Sequence, residues 1–172
     1  MKRTALLAIF VLLAGASAAQ AHTGTGIGSG FAHPFLGWDH LLAMLAVGAW
    51  GATLGGRAVW AIPASFVLAM IAGGALAMSG VNLPFVELTI LASVFVLCFF
   101  FVARVRMPVW AGMAIVALFA IAHGHAHGAE LPTMANEWDY GSGFVAATSL
   151  LHALGAIATR FAMTAGRVST KA

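Results

Sequence analysis

The chain has 172 residues, of which 62% are hydrophobic and only 8% are charged, and its mean hydropathy is +0.98. This composition differs strongly from that of a soluble domain and predicts an all-α fold, a polytopic membrane helical bundle. The formal net charge is +3, but the eight Lys and Arg side chains are scattered along the chain, which excludes a nucleic-acid-binding surface.

Residues 1–21 have the layout of a secretory signal peptide. Lys2 and Arg3 precede an apolar core over residues 5–14, and small residues then lead to Ala21. Because the apolar core is short for a membrane span, cleavage after Ala21 is favoured over an uncleaved first helix. The mature protein is then expected to be a single domain over residues 22–172, with His22 at its N-terminus.

Five apolar stretches follow the signal peptide, and each is close to the roughly 20 residues that cross a bilayer as a helix. They cover about residues 38–54, 59–78, 85–103, 109–126 and 143–163. Glycine or proline separates them, with Gly55 and Gly56 after the first, Pro84 before the third and Pro108 before the fourth. The sequence therefore predicts five transmembrane helices joined by short connections.

The charged residues predict how these helices are oriented. If the signal peptide places His22 outside, all cations of the mature chain fall on inner segments, while the largest outer connection carries acidic residues. The six cations are Arg57, Arg104, Arg106, Arg160, Arg167 and Lys171. We therefore expect a bacterial inner-membrane protein with a periplasmic N-terminus and a cytoplasmic C-terminus.

Two groups of histidine and carboxylate residues interrupt the apolar sequence. Ionisable side chains are costly at membrane depth, so they usually face a polar interior and mark an ion path or a reactive site. The first group is His33, Asp39 and His40, and the second is His123, His127 and Glu130. The predicted topology places both groups at the outer face. Imidazoles and carboxylates together predict a site for a divalent metal ion.

The spacing of the second group predicts a shared helix face. His123 and His127 are four residues apart and Glu130 is three further on, so an uninterrupted helix presents all three on one stripe. A histidine pair at this spacing is a familiar way to bind one divalent ion, although such histidines also occur as hydrogen-bonded residues. His125 points away from the stripe and is kept as a further candidate for the metal path.

Pro34 predicts that His33 belongs to an entry loop, because proline prevents a regular helix from running back through that residue. Asp39 falls in the first turn of the first span. There its carboxylate either interacts with the helix dipole or orients a ligating imidazole, and the sequence leaves both roles open.

Two more histidines are candidates for additional metal or path residues. His152 lies in the middle of the fifth span and aligns with Thr148, Gly155 and Thr159, which predicts a polar stripe facing the bundle interior. It either lines the path or hydrogen-bonds to a neighbouring helix. His22 would combine a free α-amine with an imidazole, a pair that chelates metal.

The two histidine motifs resemble those of a known family. The stretch HPFLGWDH, from His33 to His40, matches the HPxxGxDH signature of the HupE/UreJ family of nickel and cobalt permeases. HGHAHGAE, from His123 to Glu130, is similar to that family's second signature, HGx[AV]HGxE, and Ala122 stands where the family often has Phe. The resemblance covers essentially the whole chain. It implies a secondary transporter of Ni²⁺ or Co²⁺ with these signature residues: His33, Asp39, His40, His123, His127 and Glu130.

The leading interpretation is capture of the metal on the outer face, with Glu130 as a ligand or proton acceptor, and movement past His152 to the cytoplasm. Ligand imidazoles must be deprotonated, so capture should weaken as the pH falls through the histidine range. The chain has no GxxxxGK[ST] loop, so coupling to ATP would need a partner. No enzymatic activity and no prosthetic group are expected. The expected partners are the divalent ion and the lipid bilayer, and a homo-oligomer or metalloenzyme-maturation partners are left open.

Two other interpretations remain open at this point. The first is an intramembrane zinc-dependent hydrolase that uses Asp39 or Glu130 to activate water. The second is a periplasm-facing metal sensor or chaperone that passes nickel to another permease. The ligand types do not choose the metal, because the affinity of nitrogen and oxygen sites rises through cobalt and nickel to copper in any protein.

Overall fold

The computed structural model describes residues 26–131 and 136–169, with side chains described up to residue 165. This part of the chain forms six helices and no strand, which confirms the predicted all-helical fold. The helices are α1 Ile27–Leu36, α2 Trp38–Leu54, α3 Ala58–Met78, α4 Val86–Val102, α5 Val109–Ala129 and α6 Glu137–Ser169. The predicted signal peptide and His22 lie outside the described residues.

Three helices are long and apolar enough to cross a membrane, namely α3, α5 and the segment Glu137–Ala165 of α6. The bent pair of α1 and α2 would make a fourth span, and α4 is a shorter apolar helix of 17 residues. Large apolar side chains cover the outside of the bundle, where Leu68, Leu118 and Phe161 are 68%, 66% and 77% exposed. Such a surface fits a lipid environment, since soluble monomers rarely expose large apolar patches.

The predicted entry loop around His33 is wrong, because α1 carries this residue and continues through Pro34. A proline removes one backbone hydrogen bond from a helix, and here packing against α6 outweighs that loss. The chain breaks instead at Gly37, whose extended backbone separates α1 from α2. The two helix axes differ by 87°. Gly30 packs against the backbone of Tyr140, so α1 lies along the start of α6.

The last helix begins at Glu137, earlier than the predicted start at residue 143. The side-chain oxygen of Asn136 accepts hydrogen bonds from the backbone N–H groups of Trp138 and Asp139, at 3.0 and 3.3 Å. An asparagine in this position caps a helix by satisfying donors of its first turn. Because this turn is polar, an apolar run alone does not reveal it.

Glycines allow two pairs of helices to approach to backbone contact. In the α3–α5 pair, Gly124 lies against the carbonyl of Met70, and Gly73 lies against the carbonyl of Ile121. In the α2–α6 pair, Gly48 lies against the backbone of His152. A Cβ atom at any of these glycines would overlap a neighbouring backbone, so only glycine permits this close membrane-type packing.

Charged residues divide the bundle into two ends. The connections α2–α3 and α4–α5 carry Arg57, Arg104 and Arg106, and we call this the basic end. The opposite end, where α2, α4 and α6 begin, is called the acidic end; its carboxylates are Asp39, Glu87, Glu130, Glu137 and Asp139. At the basic end, Trp50 is fully buried, and its Nε1–H donates to the carbonyl oxygen of Val105 at 2.9 Å.

Candidate metal site

Four histidines from three helices meet at the acidic end of the bundle. His33 comes from α1, His40 from α2, and His123 and His127 come from α5. The ring centroids of His33 and His127 are 4.6 Å apart, and those of His40 and His127 are 4.5 Å apart. His40 and His123 follow at 4.9 Å. The two distant stretches of sequence therefore form one continuous histidine cluster, as the predicted topology requires.

Glu130 lies at the mouth of the histidine cluster, directly after the end of α5. Potential ligand atoms of His33, His127 and Glu130 all lie within 4.8 Å of one another. Glu130 is exposed and His33 is partly buried, whereas His127 is 6% exposed and His123 is fully buried. The cluster thus runs from an accessible carboxylate to imidazoles deep in the bundle.

Asp39 fixes the orientation of the His40 ring. Its Oδ1 atom accepts the backbone N–H of His40 at 2.8 Å and lies 2.7 Å from His40 Nδ1. Because an ionised carboxylate only accepts, Nδ1 carries the hydrogen and Nε2 keeps its lone pair. This Nε2 is buried and has no hydrogen-bond partner in the described part of the chain. A carboxylate that holds one imidazole nitrogen while the other binds metal is a common arrangement.

Ser93 of α4 fixes His123 in a similar way. Its hydroxyl donates to the Ile90 carbonyl at 2.6 Å, so the oxygen is left to accept from His123 Nε2, which lies 2.9 Å away. The hydrogen therefore resides on Nε2, and the lone pair of His123 is on Nδ1. Among residues 26–131 and 136–165, this buried Nδ1 has no hydrogen-bond partner.

His127 connects the other members of the histidine cluster. Its ring packs against Phe144, with the centroids 4.1 Å apart, and neither of its nitrogens has a hydrogen-bond partner within the described residues. Buried polar atoms in proteins are nearly always hydrogen-bonded. The rings of His40, His123 and His127 therefore each present a buried nitrogen that a cation bound beside it would satisfy, and the described residues whose ligand atoms lie close enough to share one ion are His33, His127 and Glu130.

His125 does not belong to the histidine cluster. Its Nε2 lies 2.7 Å from the carbonyl oxygen of Val81 and 3.3 Å from the backbone nitrogen of Leu83. The shorter contact identifies Nε2 as a donor to Val81, and the ring anchors the connection between α3 and α4. The side chain is 6% exposed and points away from its neighbours His123 and His127. This position agrees with the predicted helix stripe and gives His125 a structural contact.

His152 lies deeper in the bundle than the histidine cluster. Its Nδ1 is 2.7 Å from the Met44 carbonyl oxygen, and its ring is 5.1 Å from that of Phe66. The Phe66 ring is also 5.5 Å from the His123 ring, so it adjoins both imidazoles. Thr148 is fully buried beside His152 on α6, which confirms that the predicted polar stripe faces inward.

Sequence reasoning did not identify Ser93 or Phe66 as part of this region. Ser93 gives a weak signal, since it is one of three polar residues, with Glu87 and Thr89, in the otherwise apolar helix α4. Phe66 gives none, because it is one of twelve phenylalanines in an apolar chain. Their contacts depend on how α3 and α4 pack against α5, which a single sequence does not show.

These features define a multi-pass helical membrane protein with a buried histidine cluster that opens at a carboxylate. The HupE / UreJ protein family model matches residues 7–172, and the chain belongs to this family. The chain is also 45% identical over 158 residues to Protein HupE of Rhizobium leguminosarum bv. viciae, an alignment that covers 90% of this chain and 83% of that protein. No solved structure matches the chain at a significant level.

Proposed function

We propose that this protein is a secondary permease that captures Ni²⁺ or Co²⁺ at the acidic end of the bundle and releases it at the basic end. The histidine cluster is the observation that carries the proposal, because its neighbouring rings hold buried nitrogen atoms that lack hydrogen-bond partners within the described residues. Imidazole and carboxylate ligands suit these borderline divalent ions. Family membership supports the nickel and cobalt preference that the two sequence motifs imply.

The proposed roles of the residues follow the grouping of their candidate ligand atoms. His33, His127 and Glu130 have such atoms close together beside the exposed carboxylate and would receive the ion first. The ion would then pass to the buried Nε2 of His40 and Nδ1 of His123, with Asp39 holding His40 in the ligating tautomer. In this proposal the ion is cargo, and the protein needs no prosthetic group and catalyses no reaction.

We further propose that the acidic end faces the periplasm and the basic end faces the cytoplasm. The arginine-bearing connections support this orientation, since cytoplasmic loops carry an excess of cations. A negative-inside membrane potential would drive a dication in this direction by about 2.3 kcal/mol per charge per 100 mV. Five spans follow if the bent α1–α2 pair and α4 both cross the inner membrane after signal-peptide cleavage.

Purified protein in liposomes tests the proposal directly. We expect uptake of Ni²⁺ or Co²⁺ above that of empty liposomes when Ni²⁺, Co²⁺, Zn²⁺ and Mn²⁺ are compared with and without a proton gradient. Uptake of none of the four would contradict a permease. Binding of Ni²⁺ without uptake would instead indicate the sensor or chaperone.

One observation favours the hydrolase as a second candidate. A cavity of about 330 Å³ adjoins His127 between α3, α5 and α6, and its lining includes apolar residues such as Ile71, Leu131 and Val145. Such a cavity could hold the acyl chain of a lipid substrate. Incubation of the zinc-loaded protein with lipid amides and esters tests this: metal-dependent cleavage without metal uptake would establish the hydrolase over the permease.

Replacing Asp39 by asparagine should lower Ni²⁺ uptake about 10- to 100-fold, the usual cost of losing the partner of a ligating histidine. The substitution preserves size but weakens the contact to His40 Nδ1, and the neutral amide no longer enforces the ligating tautomer. Initial uptake rates in liposomes measure the effect. Asp139→Asn is the matched control at an exposed position of the same end, and it should leave uptake unchanged. Equal rates for the two variants would exclude an orienting role for Asp39.

A further inference from the structure

We propose that His152 forms a second, inner station for the transported dication, separated from the histidine cluster by Phe66. The inference rests on the proposed function and adds a residue that lies outside both sequence motifs. It assigns the path between the cluster and the basic end to the region between α3 and α6.

The hydrogen bond of His152 determines which of its nitrogens can bind metal. Nδ1 lies 2.7 Å from the Met44 carbonyl oxygen, and since a carbonyl only accepts, the hydrogen must be on Nδ1. Nε2 then carries the lone pair and, on the other side of the ring, points away from α2. This atom is buried, the residue is 2% exposed, and no hydrogen-bond partner for Nε2 exists in the described part of the chain. His40 shows the same arrangement.

A cavity that is open to the outside of the bundle extends from His152 toward the basic end. It has a volume of about 630 Å³, lies between α3 and α6, and is lined by His152, Ser149, Trp60 and Arg160 among others. Arg160 is eight residues after His152 on the same helix, which corresponds to roughly 12 Å along the axis. An ion at His152 would therefore lie at the inner edge of this cavity, on the side of the cluster that faces the basic end.

Phe66 separates this inner position from the histidine cluster. Its fully buried ring is 5.5 Å from the His123 ring and 5.1 Å from the His152 ring. In this proposal an ion that leaves His123 moves past this ring to reach His152. One imidazole nitrogen makes a weak site, and conduction requires intermediate sites that bind weakly enough to release the ion.

The first experiment compares binding with transport. His152→Gln should retain equilibrium binding of Ni²⁺, measured by calorimetry on the purified protein, because the histidine cluster is intact. Its uptake in liposomes should fall at least about 10-fold, the lower range for a disturbed metal position. Unchanged uptake would overturn the inner station and leave the permease proposal intact. Absence of uptake by the unaltered protein would instead contradict the permease.

The second experiment detects metal at residue 152 without relying on transport. In a Cys98→Ala background, His152→Cys places a thiol where the imidazole lies, and Co²⁺ bound there should produce a thiolate-to-cobalt charge-transfer absorption. Ala156→Cys in the same background is the control, since Ala156 lines the same cavity one turn further along α6. We expect the absorption for His152→Cys and not for Ala156→Cys.

Two results of the second experiment would overturn the proposal. Absence of the absorption in His152→Cys, with the protein folded and its cluster binding Co²⁺, would show that metal does not reach residue 152. Equal absorption in both cysteine variants would show that the cavity binds metal at any thiol. In either case a loss of uptake in His152→Gln would be explained by the broken contact with Met44.

Discussion

Ni²⁺ uptake by the His127→Leu protein is expected to fall more than about 100-fold, beyond the usual cost of disturbing an outer partner of a metal ligand. His127 adjoins both His33 and His40 and supplies two nitrogens that lack partners within the described residues. Leucine removes both nitrogens but keeps an apolar contact with Phe144. Because no hydrogen bond of the described fold is broken, the melting temperature in detergent should stay the same or rise.

His125→Leu is the matched control two residues away on α5, and it should give the opposite result. His125 donates to the Val81 carbonyl, so its loss should cost about 1–3 kcal/mol of stability. Uptake per folded molecule should remain near that of the unaltered protein. If both variants lost uptake equally, or if His127→Leu lost stability instead of uptake, His127 would not be a metal ligand.

Gly73→Ala is expected to destabilise the bundle by about 1–3 kcal/mol, as overpacking of a tight core does. The added methyl group would overlap the carbonyl of Ile121, which belongs to the backbone of α5 and cannot be relieved by a rotamer change. The α3–α5 pair would have to separate along its length. A lower melting temperature of the purified protein in detergent is the expected measurement.

Gly141→Ala is the control for this substitution, because a Cβ at Gly141 in α6 meets nothing within 4 Å. Alanine is the better helix former by about 1 kcal/mol, so this variant should be unchanged or slightly more stable. Equal melting temperatures for Gly73→Ala and the unaltered protein would show that α3 and α5 do not need backbone contact.

The sequence predicted the helices and the composition of the cluster well, because both leave local signals. Apolar runs of span length reveal α2 and α3 nearly to the residue, and the spacing of His123 and His127 places them on one helix face. Charge placement then puts both motifs at one end of the bundle. The convergence of His33 and His127 followed from that topology without any further assumption.

The remaining features depend on contacts between distant segments. α1 passes through Pro34 because it packs on α6, and no local rule favours a helix there. The tautomers of His123 and His152 are determined by Ser93 and by the Met44 carbonyl, which lie on other helices. A single sequence shows which residues can bind metal. Which imidazole nitrogens lack a hydrogen-bond partner is known only once the positions of the neighbouring helices are known.

The glycine contacts join four helices into two closely packed pairs, α2–α6 and α3–α5, and aromatic and imidazole rings of the two pairs meet where the pairs face each other. His40 and His152 belong to the α2–α6 pair, whereas His127 and Phe66 belong to the α3–α5 pair. A small rotation of one helix pair relative to the other would therefore change the His40–His127 and Phe66–His152 ring distances without bending any helix. A dication bound by residues of both pairs would hold the pairs together, and its release would allow them to separate.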